Sequence, residues 1–267
     1  MNTLLVDRLA RSAGRTLLTF AGAVVAIVVV WTVFLRTVNV SPFVAKSPGD
    51  VIGYLLTAPE AAANRSAIAA DLTRTLADAA YGYVFGLGLA AAVALLFYFS
   101  RTVEAMFTPA LTAMHAIPMV TVTPILVLIF GRGAFATAVI GAAVVVVPAL
   151  LTMLHGIRAT PRTDLDMITA FGASPLTAFR KVSLPHAIPT WFAAARVAVT
   201  TSVVGALLAE WLATGEGLGG QMLRAANEFQ FDRLWASVVV LTLVCVVIYQ
   251  VVAIVEELVA TRMSAPR

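Results

Sequence analysis

The chain has 267 residues, of which 60% are hydrophobic and 12% charged, and its mean hydropathy is +0.94. Soluble domains carry about 45–50% apolar and about 25% charged residues, so a soluble enzyme and a disordered chain are both excluded. At about 20 residues per span, this length holds several membrane helices with short loops and no large soluble domain.

The first apolar run, 17–35, follows Arg8, Arg11 and Arg15. It is longer than the apolar core of a signal peptide, about 7–15 residues, and shows no small-residue cleavage site. It is expected to be a retained first span. In the mixed stretch after it, Ser47 or Asp50 can cap a short interfacial helix through Val51, Ile52, Tyr54, Leu55 and Leu56. A second span is predicted over 76–99, with Gly82-x-x-x-Gly86 and Gly88 as a close-approach pattern. The third span, 109–130, is predicted to break at Pro118 and Pro124.

A fourth span is predicted over 134–154, a fifth over 191–213 and a sixth over 234–255, with a Gly-rich polar connection over 214–234. No internal repeat is visible. With the N-terminus in the cytoplasm, ten Lys and Arg fall inside and seven outside, the bias expected of loops on the cytoplasmic side. Both termini and the 156–190 loop then lie in the cytoplasm. The pI near 9.6 follows from this topology and needs no nucleic-acid partner. Cys245, in an apolar run, reads as a small packing residue.

In the 156–190 loop, Thr163 or Asp164 can cap a first short helix, and Gly172 suits its C-terminus. Ser174 and Pro175 can open a second, which Leu184-Pro185 is expected to end. Phe171, Leu176, Phe179 and Val182 are apolar side chains outside any span. They need either their own bundle or a partner's groove.

This loop resembles the "EAA" loop of permease subunits of bacterial ABC importers. Asp166-Met167-Ile168 stand in the Glu-Ala-Ala positions, Gly172 in the glycine position and Leu184-Pro185 at the ending. The glutamate is replaced by Asp166, and both alanines are lost. The resemblance to the nitrate/sulfonate/taurine branch covers nearly the whole chain. It is carried by Ser47-Pro48-Gly49-Asp50-Val51, Ala116-Ile117-Pro118, Phe130-Gly131-Arg132-Gly133, Phe171-Gly172-Ala173-Ser174, Ala209-Glu210-Trp211 and Gly217-Leu218-Gly219.

The resemblance implies an all-α, six-span permease of the type I ABC importer fold, one transmembrane domain over 1–267, in a bacterial inner membrane. It implies a second permease chain, identical or different, two cytoplasmic ATPase subunits and an extracytoplasmic solute-binding protein. ATP and Mg would be bound by the ATPase, with no cofactor or metal in this chain. Asp166, Ala170, Phe171, Gly172, Ala173, Ser174, Phe179, Leu184 and Pro185 would form the coupling segment. The solute would be nitrate, a sulfonate, taurine, a vitamin precursor or a similar small organic molecule.

No phosphate-binding Gly-x-x-x-x-Gly-Lys-Ser/Thr motif is present, so ATP hydrolysis in this chain is not expected. Gly215-Glu216-Gly217-Leu218-Gly219-Gly220 fits a dinucleotide fingerprint in letters alone, since it follows a membrane helix and no strand. His115, His155 and His186 lack metal spacing. His115, Pro118, Met119, Thr121 and Thr123 are candidate pathway residues, because freed carbonyls at membrane depth require protein or a cavity around them. Glu210 is read as holding the outer gate or the adjoining Gly-rich loop, and Arg196 as snorkelling to the cytoplasmic surface. A stand-alone secondary transporter or channel is the alternative. It would bring inverted repeats and several midplane charges, which this sequence lacks.

Overall fold

The computed structural model describes residues 22–38 and 41–263, and all their regular structure is helical. Residues 17–21 of the first predicted span lie outside the described residues, as do Arg8, Arg11 and Arg15. The chain divides into two compact units, one of residues 1–65 with 225–236, the other of 66–224 with 237–267.

In the smaller unit, α1 (Gly22–Val38) is followed by α2 (Pro48–Ile52). Ser47 is the predicted cap: its hydroxyl accepts from the Asp50 N–H, and the Asp50 carboxylate accepts from the Ser47 N–H. Those hydrogen bonds hold the Asp50 carboxyl below its usual range. A π-turn over Gly53–Thr57 continues the helix. Trp235 stacks on Trp31 at 5.3 Å and donates its indole N–H to the Val44 carbonyl, and Phe43 meets Phe231 edge to face. A Lys46–Asp232 ion pair at 3.1 Å joins the same segments.

Eight helices account for most of the described residues of the larger unit. α3 (Ala61–Phe99) enters it from the smaller one; α4 (Arg101–Ala116) and α5 (Met119–Phe130) follow. Next come α6 (Ala134–Arg158), α7 (Arg162–Ala170) and α8 (Pro175–Thr214). α9 (Gly217–Asn227) and α10 (Phe231–Met263) complete the described chain. α3, α6, α8 and α10 are each long and apolar enough to cross a membrane.

Four sequence expectations are corrected. α3 begins at Ala61, fifteen residues before the predicted second span, because the Ala-rich stretch from 61 carries its polar residues on an otherwise unbroken helix. The third span is two helices meeting at 104°. The break falls only at Ile117-Pro118, where Ile117 is extended as a pre-proline residue prefers; Pro124 stays inside α5. Leu184-Pro185 does not end a helix. A π-turn over Phe179–Ser183 widens the backbone just before Pro185, and α8 runs on through it. The 214–234 connection is mostly helical, as α9.

Three backbones cross at Gly141. A Cβ on Gly82 of α3 would lie 2.8 Å from the Gly141 Cα, and one on Gly205 of α8 would lie 2.7 Å from it. One turn on, a Cβ on Gly86 would meet the Val145 Cβ at 2.6 Å. The Gly82-x-x-x-Gly86 pattern therefore does pack, whereas Gly88 faces open space. The matched steps, 82 to 86 and 141 to 145, make α3 and α6 parallel. α6 and α8 are antiparallel: Gly141 meets Gly205, and fifteen residues along α6 Gly156 meets Thr190, fifteen residues back along α8. The pair stays in register for about 22 Å. Around this seam Ala90, Ala94, Ala149, Ala187, Ala194 and Ala198 are buried, small residues that keep the helices close. Cys245 is half-buried on α10.

Gly141→Ala should therefore destabilise the chain by about 1–3 kcal/mol, because backbone and not a movable side chain occupies the space. Gly88→Ala should be neutral or slightly stabilising. Thermal unfolding of the purified protein in detergent distinguishes the two.

Candidate functional site

The loop between α6 and α8 is a rigid elbow. α7 starts after Pro161, two or three residues earlier than Thr163 or Asp164 would have capped it, and carries Asp164 in its first turn. It ends on Gly172 at φ +79°, with the Gly172 N–H donating to the Thr169 carbonyl and the Ala173 N–H to the Ile168 carbonyl. These two bonds satisfy carbonyls that the helix end leaves unpaired, and they require the left-handed residue between them. Ser174 then caps α8: its hydroxyl accepts from the Thr177 N–H at 3.3 Å, and Pro175 takes the first helical position. Across the elbow, His186 Nε2 lies 3.4 Å from Asp164 Oδ2.

The apolar residues of the elbow divide. Phe179 is buried and packs on Tyr98 and Phe99 at 5.1 and 5.5 Å. The Tyr98 hydroxyl and the Ser183 hydroxyl are 3.0 Å apart. Phe171 is 87% exposed at the tip, beside exposed Met167 and Leu176. Asp166, Ala170 and Gly172 are exposed with it, whereas Ala173, Leu184 and Pro185 are half-buried at the base. A groove lined by Met167, Ile168, Phe171, Val182 and Pro185 opens between α7 and α8.

A second constellation lies at the opposite end of α8. Glu210 is fully buried in a π-turn, Glu210–Thr214, that closes on Gly215 at φ +68°. Its Oε2 accepts from the Gly219 N–H at 2.7 Å, while Thr75 of α3 accepts from the Leu218 N–H at 2.8 Å. Two side chains from other helices thus cap the N-terminus of α9. Any Cβ at Gly217 or Gly219 would collide with the Glu210 carboxyl. Arg74 bridges Glu216 at 2.8 Å and Asp78 at 3.7 Å, and Arg224 donates to the Gly215 carbonyl. Of the two sequence readings for Glu210, this geometry matches the hold on the Gly-rich loop.

The predicted pathway residues separate at the α4–α5 break. His115, Pro118 and Thr121 are exposed, and Met119 is half-buried against Ile140, Leu208 and Ala209. Thr123 is fully buried with its hydroxyl donated to the Met119 carbonyl at 2.7 Å, so it braces the first turn of α5. Arg196 corrects its sequence reading. It does not reach for the surface: it pairs with Glu256 of α10 at 3.1 Å and lies over the Tyr249 ring. Sequence reasoning missed Thr75 and Arg74, which sit on α3 some 140 residues from the loop they hold, and Asp78, which pairs with Arg74.

The family described as "Binding-protein-dependent transport system inner membrane component" matches residues 82–265. The chain belongs to this family. A Haemophilus influenzae protein named as an ABC transporter permease is 35% identical over 168 residues, 63% of this chain and 67% of that one. The formylaminopyrimidine transport permease protein ThiX of Halalkalibacterium halodurans is 26% identical over 217 residues, covering 81% and 84%. Among solved structures, an inward-facing form of the MetNI methionine ABC transporter superposes with a TM-score of 0.59 at 19% identity, covering 72% of this chain and 94% of its own. The chain is therefore a transport subunit of an ABC importer and not an enzyme.

Glu210→Ala should leave the Gly219 N–H unpaired and buried, a loss of about 1–3 kcal/mol. Amide hydrogen exchange over residues 215–224 should rise in that variant, and less in Glu210→Gln, which keeps an acceptor oxygen.

Proposed function

We propose that the elbow Ala170–Pro185 is the segment through which two partner ATPase subunits drive this permease. The supporting observation is Phe171: a large apolar side chain, 87% exposed, on a backbone fixed at both ends by helix caps. An exposed aromatic on a rigid mount, buried only when a partner docks, is the kind of anchor a partner's groove recognises. ATP and Mg then belong to the ATPase, and this chain contributes position and motion.

The parallel course of α3 and α6 supports a six-span topology. The chain between them must return across the bilayer, and the bent pair α4–α5 is the segment that can do so. Counting α1 as well puts both termini on the side of the elbow, the cytoplasmic side by the bias of Lys and Arg. A second permease chain would complete the pathway beside the α4–α5 break, where His115, Pro118, Met119 and Thr121 face it. A binding protein would deliver the solute, a small organic molecule or anion such as a vitamin precursor or a sulfonate; the ThiX relative carries formylaminopyrimidine by its name.

Phe171→Ala should weaken ATPase co-purification by about tenfold or more and reduce ATP-driven uptake, while leaving the melting temperature of the permease unchanged. Phe179→Ala, which empties a packed site, should instead destabilise the permease itself by about 3–5 kcal/mol. Retained ATPase binding in Phe171→Ala would remove the elbow from its assigned role.

A further inference from the structure

At the end of the larger unit that carries the elbow, a cavity of about 670 Å³ opens between the start of α4, the end of α6 and the start of α7. Three arginines, Arg101, Arg158 and Arg162, border it together with Glu104. Glu104 is nearly buried and forms an ion pair with Arg158, so that pair is internally neutral. The side chains of Arg101 and Arg162 make no ion pair or hydrogen bond with another described residue. Thr108 and Thr160, also on the wall, give their hydroxyl protons to the backbone carbonyls of Glu104 and Ile157. The cavity therefore holds two uncommitted guanidinium groups and a net positive charge.

Besides Tyr98, the rest of its lining is apolar: Phe97, Ala105, Pro109, Ile157 and Leu165. The depth is informative too. The apolar run of α3 ends at Phe99, and Arg101 follows one residue after the helix break, so the arginines lie where hydrocarbon gives way to headgroups. Guanidinium forks match phosphate oxygens in pairs, and basic pockets beside membrane helices suit anionic headgroups.

We propose that this cavity binds the headgroup phosphate of one anionic phospholipid, with Arg101 and Arg162 as donors and the apolar wall against the glycerol and first acyl carbons. The arginines alone would suit any phosphate; the apolar wall beside them favours a lipid. The Glu104–Arg158 pair sets the end of α6 against α4 and so fixes the mouth of the site.

Native mass spectrometry of the full chain in detergent tests this, with dioleoylphosphatidylglycerol or dioleoylphosphatidylcholine added in turn. Wild type should retain one phosphatidylglycerol in preference to phosphatidylcholine by about tenfold or more. The double variant Arg101→Gln/Arg162→Gln should lose that preference. Arg180→Gln, on the same side of the chain but outside the cavity, should keep it. Equal retention of the two lipids by wild type overturns the proposal without any variant having to fold. So does an unchanged preference in a folded double variant. Displacement of phosphatidylglycerol by millimolar inorganic phosphate would mean that the site reads a soluble anion, and would overturn the lipid assignment.

Discussion

The close approach of three backbones at Gly141 is the constraint on which the larger unit depends. In lipid there is no hydrophobic force to draw helices together, so association rests on contact area and on what the seam allows. With Gly82 on one side of Gly141 and Gly205 on the other, the helix axes come as near as main chain permits. The alanine-rich faces of α3, α6 and α8 can then interlock along their length. One methyl group at Gly141 would push α3 away, and one at Gly205 would push α8 away from the same Gly141 backbone. The antiparallel register that begins at Gly141 and Gly205 closes again at Gly156 and Thr190, which leaves α8 little freedom to slide on α6.

This fixed seam gives the two ends of α8 their meaning. At one end Ser174 starts the helix on a glycine elbow; at the other Glu210 reaches into α9. Between them the backbone is helical for 40 residues, about 60 Å. Both places where the hydrogen bonding shifts to π-turns, Phe179–Ser183 and Glu210–Thr214, adjoin these ends. π-turns carry an extra residue and mark places where a helix is under local constraint, often near function. A displacement at Phe171 thus has a continuous helix to run along, held at its middle by glycine contacts and ending on the carboxylate that caps α9.

Much of this was legible in the residues, and what was not has physical reasons. Local signals read well: the Ser47 and Ser174 caps, the Gly172 turn and the Gly82–Gly86 face all depend on residues a few positions apart. Leu184-Pro185 misled because the rule that proline ends a helix assumes α geometry before it. A π-turn removes the clash, and nothing in the letters Phe179–Ser183 announces one. Pro118 and Pro124 looked equivalent as breaks. Only Pro118 has its preceding residue extended, and Pro124 sits in a helix whose first turn Thr123 braces. The elbow's apolar residues showed that a cover was needed but not whose. Phe179 found its own bundle, and Phe171 did not.

The few charges within the apolar helices show the same division between near and far. Glu210 could be tied to the Gly-rich loop because that loop follows it within nine residues, and only glycine leaves room for a carboxyl against the backbone. Arg196 could not be read, because Glu256 is sixty residues away on another helix, and a lone cation near the end of the predicted span suits snorkelling equally well. Removing one member of such a half-buried pair strands the other's charge in a medium that solvates it poorly. Arg196 and Glu256 therefore tie α10 to α8 near the middle of that helix, as Thr75 and Glu210 tie α9 to α3 and α8 at its far end. A chain with so few charges has placed its paired ones where glycine packing alone does not decide which helix lies against which.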